Sequence, residues 1–513
     1  MTFNSQEITQ EVRADFEHLL NFVTGEQART TKADSIERDL FKMLLSLGAK
    51  LLQLFFAMRS QACSRQPVQN QRGQELPYHR DTERVYFSIF GKVFIARPYF
   101  YQVGVGSQTG LDAELGLGED SYSDLLQEVT EYLAVYHVYG GKSADFLERL
   151  LGFKLSARAV QENVAEDSTS VEAYYAQKLP PSPESEAEIL VIQADGKGIP
   201  MVLEEEAEAQ VRLGKGQKHG HKKEAIVTTV YTIPANPRTP NEVIASFFAE
   251  DQAKNTPIKA SKPQNKHLWA TLDGKEVALS RLSIPVALRE GLHIQHRVAL
   301  CDGCEALQSR IGLQFQGFTR ILDFVHANEY LWDAANSWLG ETNEKRLEWV
   351  KSHTLQILSG QTTQVIAELR HLSKTKKTKV VQKKQLLKTA NYFERNLPYM
   401  DYQTYLSKGY PIASGVIEGA CRHFVKDRFE LSGMRWLQTG AENLLRLRAV
   451  AENDDWDKYF AYHREQRQLR LYNQPASNAQ ALETQVINSQ PAVYIQTFAL
   501  TGISKHSQLP LAV

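Results

Sequence analysis

Two kinds of apolar spacing alternate along this chain of 513 residues. Unbroken or alternating apolar runs mark strands, and apolar positions recurring every three to four residues mark helices. Residues 1 to about 80 follow the helical spacing, with Phe41, Leu44, Leu45, Leu51, Leu52, Leu54 and Phe55 as the densest apolar stretch and a polar linker at 64–74. Arg84 to Tyr101 alternates as two strands about Gly91, which predicts a hairpin. Helical spacing returns from Ser121 to Tyr175, broken at Gly140, Gly141 and Gly152, with Ser156 placed to cap the helix that follows. That helix carries Arg158, Gln161, Glu162 and Asn163. The three-helix segment reads either as a helix-turn-helix entering a DNA groove or as a packing subdomain.

Past a Pro/Ser/Glu linker at 180–188 the pattern changes. Glu188 to Pro200, EILVIQADGKGIP, is an apolar run that stops abruptly at Asp195, Gly196, Lys197 and Gly198. Ile199 to Leu203 and Ala225 to Ile233 read as further strands, and Val298 to Cys301 and Thr319 to Phe324 follow, separated by a helix. Three strands with short connections and then two more predict an α/β protein with a mixed sheet covered by helices, an order that fits an RNase H-like fold. Ala327 to about Tyr405 is helical and reads as an insertion into the sheet domain. From about Asp455 the chain turns polar, and 475–490 is expected to be poorly ordered. The expected organisation is an N-terminal helical region with a hairpin (1–118), a helical segment with the helix-turn-helix candidate (119–180), a catalytic domain (186–335), the helical insertion (336–405), a closing helix (406–455) and a tail (456–513).

Composition narrows the function classes. With 42% hydrophobic and 23% charged residues the chain is ordinary for a globular protein. No apolar run reads as a membrane span of about 20 residues and the N-terminus has no signal pattern, so a cytoplasmic protein without a membrane partner is expected. The formal charge of −1 means that nucleic-acid binding must rest on local basic patches. The four cysteines make no disulfide framework, and the CxxC of Cys301 and Cys304 has no second pair to complete a tetrahedral zinc site.

The candidate chemistry is acidic. Asp195 and Asp302 each end an apolar strand, and Glu418 opens a helix that starts near Ser414. They stand 107 and 116 residues apart, from three distant parts of the chain. A carboxylate at the end of a core strand costs desolvation unless a cation meets it. Two Mg²⁺ or Mn²⁺ ions, with Asp195 bridging, Asp302 holding one and Glu418 the other, would suit phosphoryl transfer on DNA. Singly, each has a plainer reading: a strand-end cap for either aspartate, an i,i+4 pair with Arg422 for Glu418. Nearby residues suit nucleic acid: the basic Lys197, the loop residues Lys215, Lys218, Lys222 and Lys223, and Arg422, Lys426, Arg428 and Arg435 after Glu418, together with Arg158 upstream, and the aromatic Trp436. Lys374, Lys376, Lys377, Lys379, Lys383 and Lys384 form a second cluster, readable as a DNA track or a charged linker. Arg435 and Trp436 read as phosphate and base contacts or as packing.

The strings LVIQADGKGIPM, KKEAIVTTVYTI, ALCDGCEAL, ILDFVHANEYLW and SGVIEGACRHFVKDRFELSGMRW together resemble the DDE transposases of bacterial insertion sequences, most closely the ISKra group, related to Mutator-like transposases. The resemblance runs from about Glu119 to Trp456. It implies an RNase H-like catalytic domain, the triad Asp195, Asp302 and Glu418, and an accessory signature at Asp323 and His326. It further implies terminal inverted repeats and target DNA as partners, and a bacterial cytoplasmic location beside the nucleoid. Two DNA ends must be held together, so a homo-oligomer is expected. The zinc-ribbon cysteines of related proteins have no counterpart in RPYFYQVGVGSQTG. A non-catalytic DNA-binding derivative and a nuclease without joining activity are the alternatives.

Overall fold

The N-terminal helices form because their apolar positions repeat every three to four residues and the first is capped. The computed structural model describes residues 4–70, 72–202, 222–248, 261–375, 378–431 and 433–472. Helix α1 (Ser5–Thr24) begins at Asn4, whose side chain accepts from the Gln6 N–H. Helix α2 (Ala33–Ala62) runs back antiparallel to it, with Lys50 reaching Asp15 at 2.8 Å and Ser5 bonded to Gln61. The expected hairpin follows as β1 (Tyr78–Ser88) and β2 (Gly91–Gln102). Helix α2 lies across β2: the Gln53 side chain donates to the Phe94 carbonyl and accepts from its N–H. Phe56 closes a small core with Val93, Ile95, Leu111 and Leu117.

Helices α3 (Asp124–Tyr136), α4 (Lys142–Leu151), α5 (Ala157–Asp167) and α6 (Val171–Gln177) come next. Ser156 caps α5 as expected, accepting from the Ala159 N–H. The inner face of α5, including Val160, Asn163 and Val164, is buried, while Arg158 and Glu162 face solvent.

A five-stranded mixed sheet carries the rest. Its strands are β3 (Ile189–Pro200), β4 (Lys222–Ile233), β5 (Gln264–Thr271), β6 (His296–Cys301) and β7 (Thr319–Leu322). The spatial order is β7-β6-β3-β4-β5, antiparallel from β3 to β5 and parallel among β3, β6 and β7. Strand β3 is buried on both faces, which is why it reads as an unbroken apolar run. Its odd positions, Ile189 and Val191, pack with the helices α9 (Phe324–Leu339), α10 (Lys345–Leu358), α11 (Thr362–Lys374), α12 (Val380–Asn396) and α13 (Tyr402–Ser407). Its even positions, Leu190, Ile192 and Ala194, pack under α7 (Lys275–Leu288) and α8 (Glu305–Gln314). The sheet is thus the middle of three layers. A further core joins α3, α5 and α6 to the far ends of β3, β4 and β5 and to α14 (Gly415–Ala420), α15 (Gln438–Glu452) and α16 (Trp456–Tyr472).

Several expectations need correction. Ile199 to Leu203 is not a separate strand: β3 pairs with β4 without a break as far as Pro200. The third strand is β5, which follows a polar start (QNKH) with a buried half (LWAT), so it shows neither alternation nor a long apolar run. The helical block begins at Phe324, directly after β7. The chain after Trp456 is not a tail from the start, because α16 buries Tyr459 and Phe460. Residues 475–490 lie outside the described residues. Helix α2 is long and apolar enough to cross a membrane by length and composition, which the expectation of no such run missed because Lys50 and Arg59 interrupt it.

Glu131 of α3 is fully buried beside Asp167 of α5. Burial, and then the charge of Asp167, hold its carboxyl well above the ordinary carboxylate range. An acid whose folded pKa is raised binds its proton more tightly when folded, so stability falls as pH climbs above the unfolded value near 4.5. Glu131→Gln is expected to remove that slope. Melting temperatures of both proteins between pH 4.5 and 8 check this, and parallel curves would count against it.

Candidate functional site

Strand register aligns the acidic residues. Gln193 pairs with Leu300 across β3 and β6, and Cys301 pairs with Leu322 across β6 and β7. Continuing both pairings past the strand ends sets Asp195, Asp302 and Asp323 level on three neighbouring parallel strands. Asp302 and Asp323 follow the carboxyl ends of β6 and β7, whereas Asp195, expected at a strand end, lies inside β3, just past its last residue paired with β6 and five residues before its end at Pro200. At β3 the chain reverses its order across the sheet, the place where open α/β sheets present ligand sites. Asp195 and Asp302 are both half-buried.

Each aspartate is held by local hydrogen bonds. Asp195 accepts from the Gly196 N–H at 2.6 Å and from the Cys421 thiol at 3.4 Å. Asp302 accepts from the Cys304 N–H at 2.9 Å, so it also serves as the turn residue before α8. The following Gly303 has φ +87, and a Cβ there would lie 2.5 Å from the Tyr392 hydroxyl, which donates to the Asp302 carbonyl. Only glycine fits that turn. Burial raises the Asp195 carboxyl above its ordinary value, and the charge of Asp302 adds to the effect. A half-buried carboxyl whose charge is disfavoured by burial and by a neighbouring carboxylate is what a cation would relieve.

Glu418 comes from α14, whose N-terminal residue follows Ser414, and the Ser414 hydroxyl donates to the Glu418 carboxylate at 2.9 Å. Buried Gln193 fixes this helix to the sheet. Its side-chain carbonyl accepts from the Ile417 N–H at 2.9 Å, and its amide donates to the Tyr231 hydroxyl at 3.1 Å. The helix then widens into a π-helical turn, Cys421–Lys426, which turns Phe424 and Val425 inward and Arg422 and Lys426 outward. Arg422 does not pair with Glu418; it lies 4.0 Å from Asp427.

Asp323 and His326 form a clamp. Asp323 is fully buried and caps α9, accepting from the Val325 and His326 N–H groups. It also accepts from the Ser414 N–H at 2.8 Å and from His326 Nδ1 at 2.6 Å. The hydrogen bond to Asp323 pushes the imidazole of His326 up to about 9 against the opposing effect of burial, so the ring is cationic at neutral pH. It lies 3.9 Å from Glu418. Among the described residues, the acidic and histidine atoms close enough to share one ion, within 4.8 Å of one another, belong to Asp323, His326 and Glu418. Asp195 and Asp302 stand at the same sheet end but outside that close group.

The basic candidates divide. Lys197 sits two residues beyond Asp195 on the same face of β3, and Arg422, Lys426 and Arg435 are exposed. Lys222 and Lys223 bond Glu430 and Gln438. Arg158 is exposed on α5 and bonded to Glu162. Lys215 and Lys218, and Lys376 and Lys377, lie outside the described residues. Arg428 and Trp436 are corrections: both are buried. The Arg428 guanidinium donates to the Ala134 carbonyl and lies 5.0 Å from the ring centres of both Tyr139 and Trp436, which meet edge-on, and the indole N–H of Trp436 donates to the Phe429 carbonyl. A buried arginine engaged by a carbonyl and two aromatic rings is a packing element and not a phosphate contact. Cys301 and Cys304 are free thiols, the first facing the core under α8.

Gln193 and Tyr392 and the thiol contact of Cys421 escaped the sequence reading, and Ser414 was read only as a helix start, not as a partner of Glu418. For Gln193 a signal existed: an amide inside ILVIQA must find partners in the core. A scan of the chain against protein-family models gives no match, and a search among curated proteins gives none.

Because Asp323 is buried with both oxygens bonded, Asp323→Ala is expected to cost about 3 to 5 kcal/mol. His326→Ala, which removes a ring still 31% exposed, is expected to cost about 1 kcal/mol. Urea unfolding of the two variants checks the ranking; equal losses would mean that Asp323 does not organise the clamp.

Proposed function

We propose that this chain is a DNA transposase of the DDE type, with an RNase H-like catalytic domain that cleaves element ends and joins them to target DNA. The observation that carries the reading is the level row of Asp195 and Asp302 on parallel strands, with Glu418 tied to the same sheet end through Gln193. The strand order, three antiparallel strands and then two parallel ones reached through helices, supports the fold assignment.

The residues fit divalent metal ions. The three donors are carboxylates, the ligands that hard Mg²⁺ or Mn²⁺ takes, and the effect of Asp302 on the Asp195 carboxyl supports a site with a surplus of negative charge. Asp195, Asp302 and Glu418 would hold the ions, whereas Asp323 has both oxygens engaged by protein donors and acts by positioning. When bound, the ions supply activation of the attacking oxygen and stabilisation of the leaving one. Both reactions are in-line displacements at phosphorus: water is the nucleophile in cleavage, and the freed 3′-OH is the nucleophile in joining, so one site serves both.

The chain's own residues do the rest. Ser414 and Gln193 orient Glu418, and the His326 imidazolium offsets charge beside it. Lys197, Arg422 and Lys426 flank the carboxylates with exposed or half-exposed cations that suit the phosphate backbone. The outer face of α5 with Arg158 is the corresponding candidate for a helix-turn-helix contact.

Labelled DNA from the ends of the element, incubated with Mn²⁺, is expected to be nicked and then joined. Asp302→Asn is expected to abolish both steps while end binding survives. Binding without cleavage in the unaltered protein would favour the non-catalytic alternative, and cleavage without joining a nuclease. For the basic flank, Arg422→Ala combined with Lys426→Ala is expected to reduce the slope of log affinity against log salt by about 2. Fluorescence anisotropy at several salt concentrations measures it, and an unchanged slope would remove these residues from the DNA path.

A further inference from the structure

Helices α1 and α2 bury only part of their apolar surface. On α2, Phe41, Leu44, Leu51, Phe55 and Met58 are 40% to 57% exposed, and on α1, Phe16, Leu20 and Val23 are 39% to 52% exposed. With Gly48, over which the ring of Phe90 packs while staying 42% exposed itself, the α2 positions are spaced 3, 4, 3, 4 and 3 residues apart, the spacing of a helix that packs against another by knobs into holes. None of these seam positions is charged.

The two stripes form one face. Asp15 and Lys50 mark the line along which α1 and α2 touch. At about 100° per residue, each stripe lies roughly 100 to 125° around its own helix from that line, in the same rotational sense. Because the helices are antiparallel, equal rotations bring both stripes to the same side of the pair. Eight large side chains then expose on the order of 700 Å² per copy, close to the roughly 800 Å² per partner of a stable interface and above what monomers usually leave open.

We propose that this face binds the same face of a second copy, building a four-helix bundle about a twofold axis. An apolar patch whose only partner need is an identical patch satisfies itself in an isologous pair. Insertion of α2 into a bilayer fits the packing less well. Its other faces are engaged by polar contacts to the folded chain: Gln53 with the Phe94 backbone, Arg59 with Glu114 at 2.9 Å, and Lys50 with Asp15. A helix sealed on those sides to a sheet and a charged partner presents only one face. This inference stands apart from the transposase proposal, since the stripe lies on other elements and makes no use of the carboxylates.

Light scattering on the full chain during gel filtration tests it. The expected mass is twice 58.1 kDa at micromolar concentration. Leu51→Glu combined with Phe55→Glu is expected to halve the mass with the circular dichroism unchanged. Leu313→Glu, at a still more open leucine on α8, is expected to leave the dimer intact. If the double glutamate variant loses helix, Leu51→Ala with Phe55→Ala gives a folded alternative, expected to raise the dissociation constant at least tenfold. A monomeric wild type, a dimer of undiminished affinity in the alanine variant, or flotation of the wild type with phosphatidylcholine vesicles would each overturn the proposal.

Discussion

Parallel register is the constraint on which the candidate site depends. Pairing fixes a strand in one register against its neighbours, and a slip of one residue would exchange its two faces. Strand β3 is buried on both sides by different helical layers, so its register is fixed by Ile189 and Val191 on one side and Leu190 and Ile192 on the other. Asp195 follows that core by a single residue. Its height in the sheet, and its alignment with Asp302, are therefore set by apolar packing that has no chemistry of its own.

Negative charge gathered in this way has to be balanced. Part of the balance is internal: His326 is kept cationic by Asp323 and stands close to Glu418. Asp323 simultaneously accepts from the backbone of Ser414, so one buried carboxylate ties the end of β7, the start of α9 and the start of the Glu418 helix together. The same bonds leave Asp323 no free oxygen for a ligand. Of two aspartates that follow neighbouring strands at the same height, Asp302 is half open and Asp323 is sealed, and that difference separates a candidate ligand from a positioning group.

Much of this was legible in the sequence. Strands β3 and β6 announce themselves because doubly buried strands are apolar throughout, and the aspartates that close their apolar runs stand out against that background. Ser156 and Ser414 were readable as helix starts from local chemistry alone. Strand β5 was hidden, since an edge strand that is polar at one end and buried at the other has no period to detect. Arg428 and Trp436 misled for a different reason. Their side chains suit nucleic acid and suit each other equally well, and only the packing of Tyr139 and Ala134 around them decides between the two. Gln193 shows the opposite case, where a residue that looked out of place in a core strand is the link between the sheet and Glu418.

The π-helical turn after Glu418 has a consequence for chain length. Such a turn holds one residue more than an α-helical turn in the same rise, so the segment before it and the segment after it are out of phase. Glu418 faces the sheet end while Phe424 and Val425 still reach the core. Side chains along this stretch are replaceable one at a time without changing that phase. Removing one residue between Cys421 and Lys426 would close the wide turn into an α-helical one of about the same rise and rotation, so Glu418 and the buried Phe429 beyond the turn would keep their relative orientation. The extra residue is thus slack that the chain can lose here without turning the carboxylate away from the sheet.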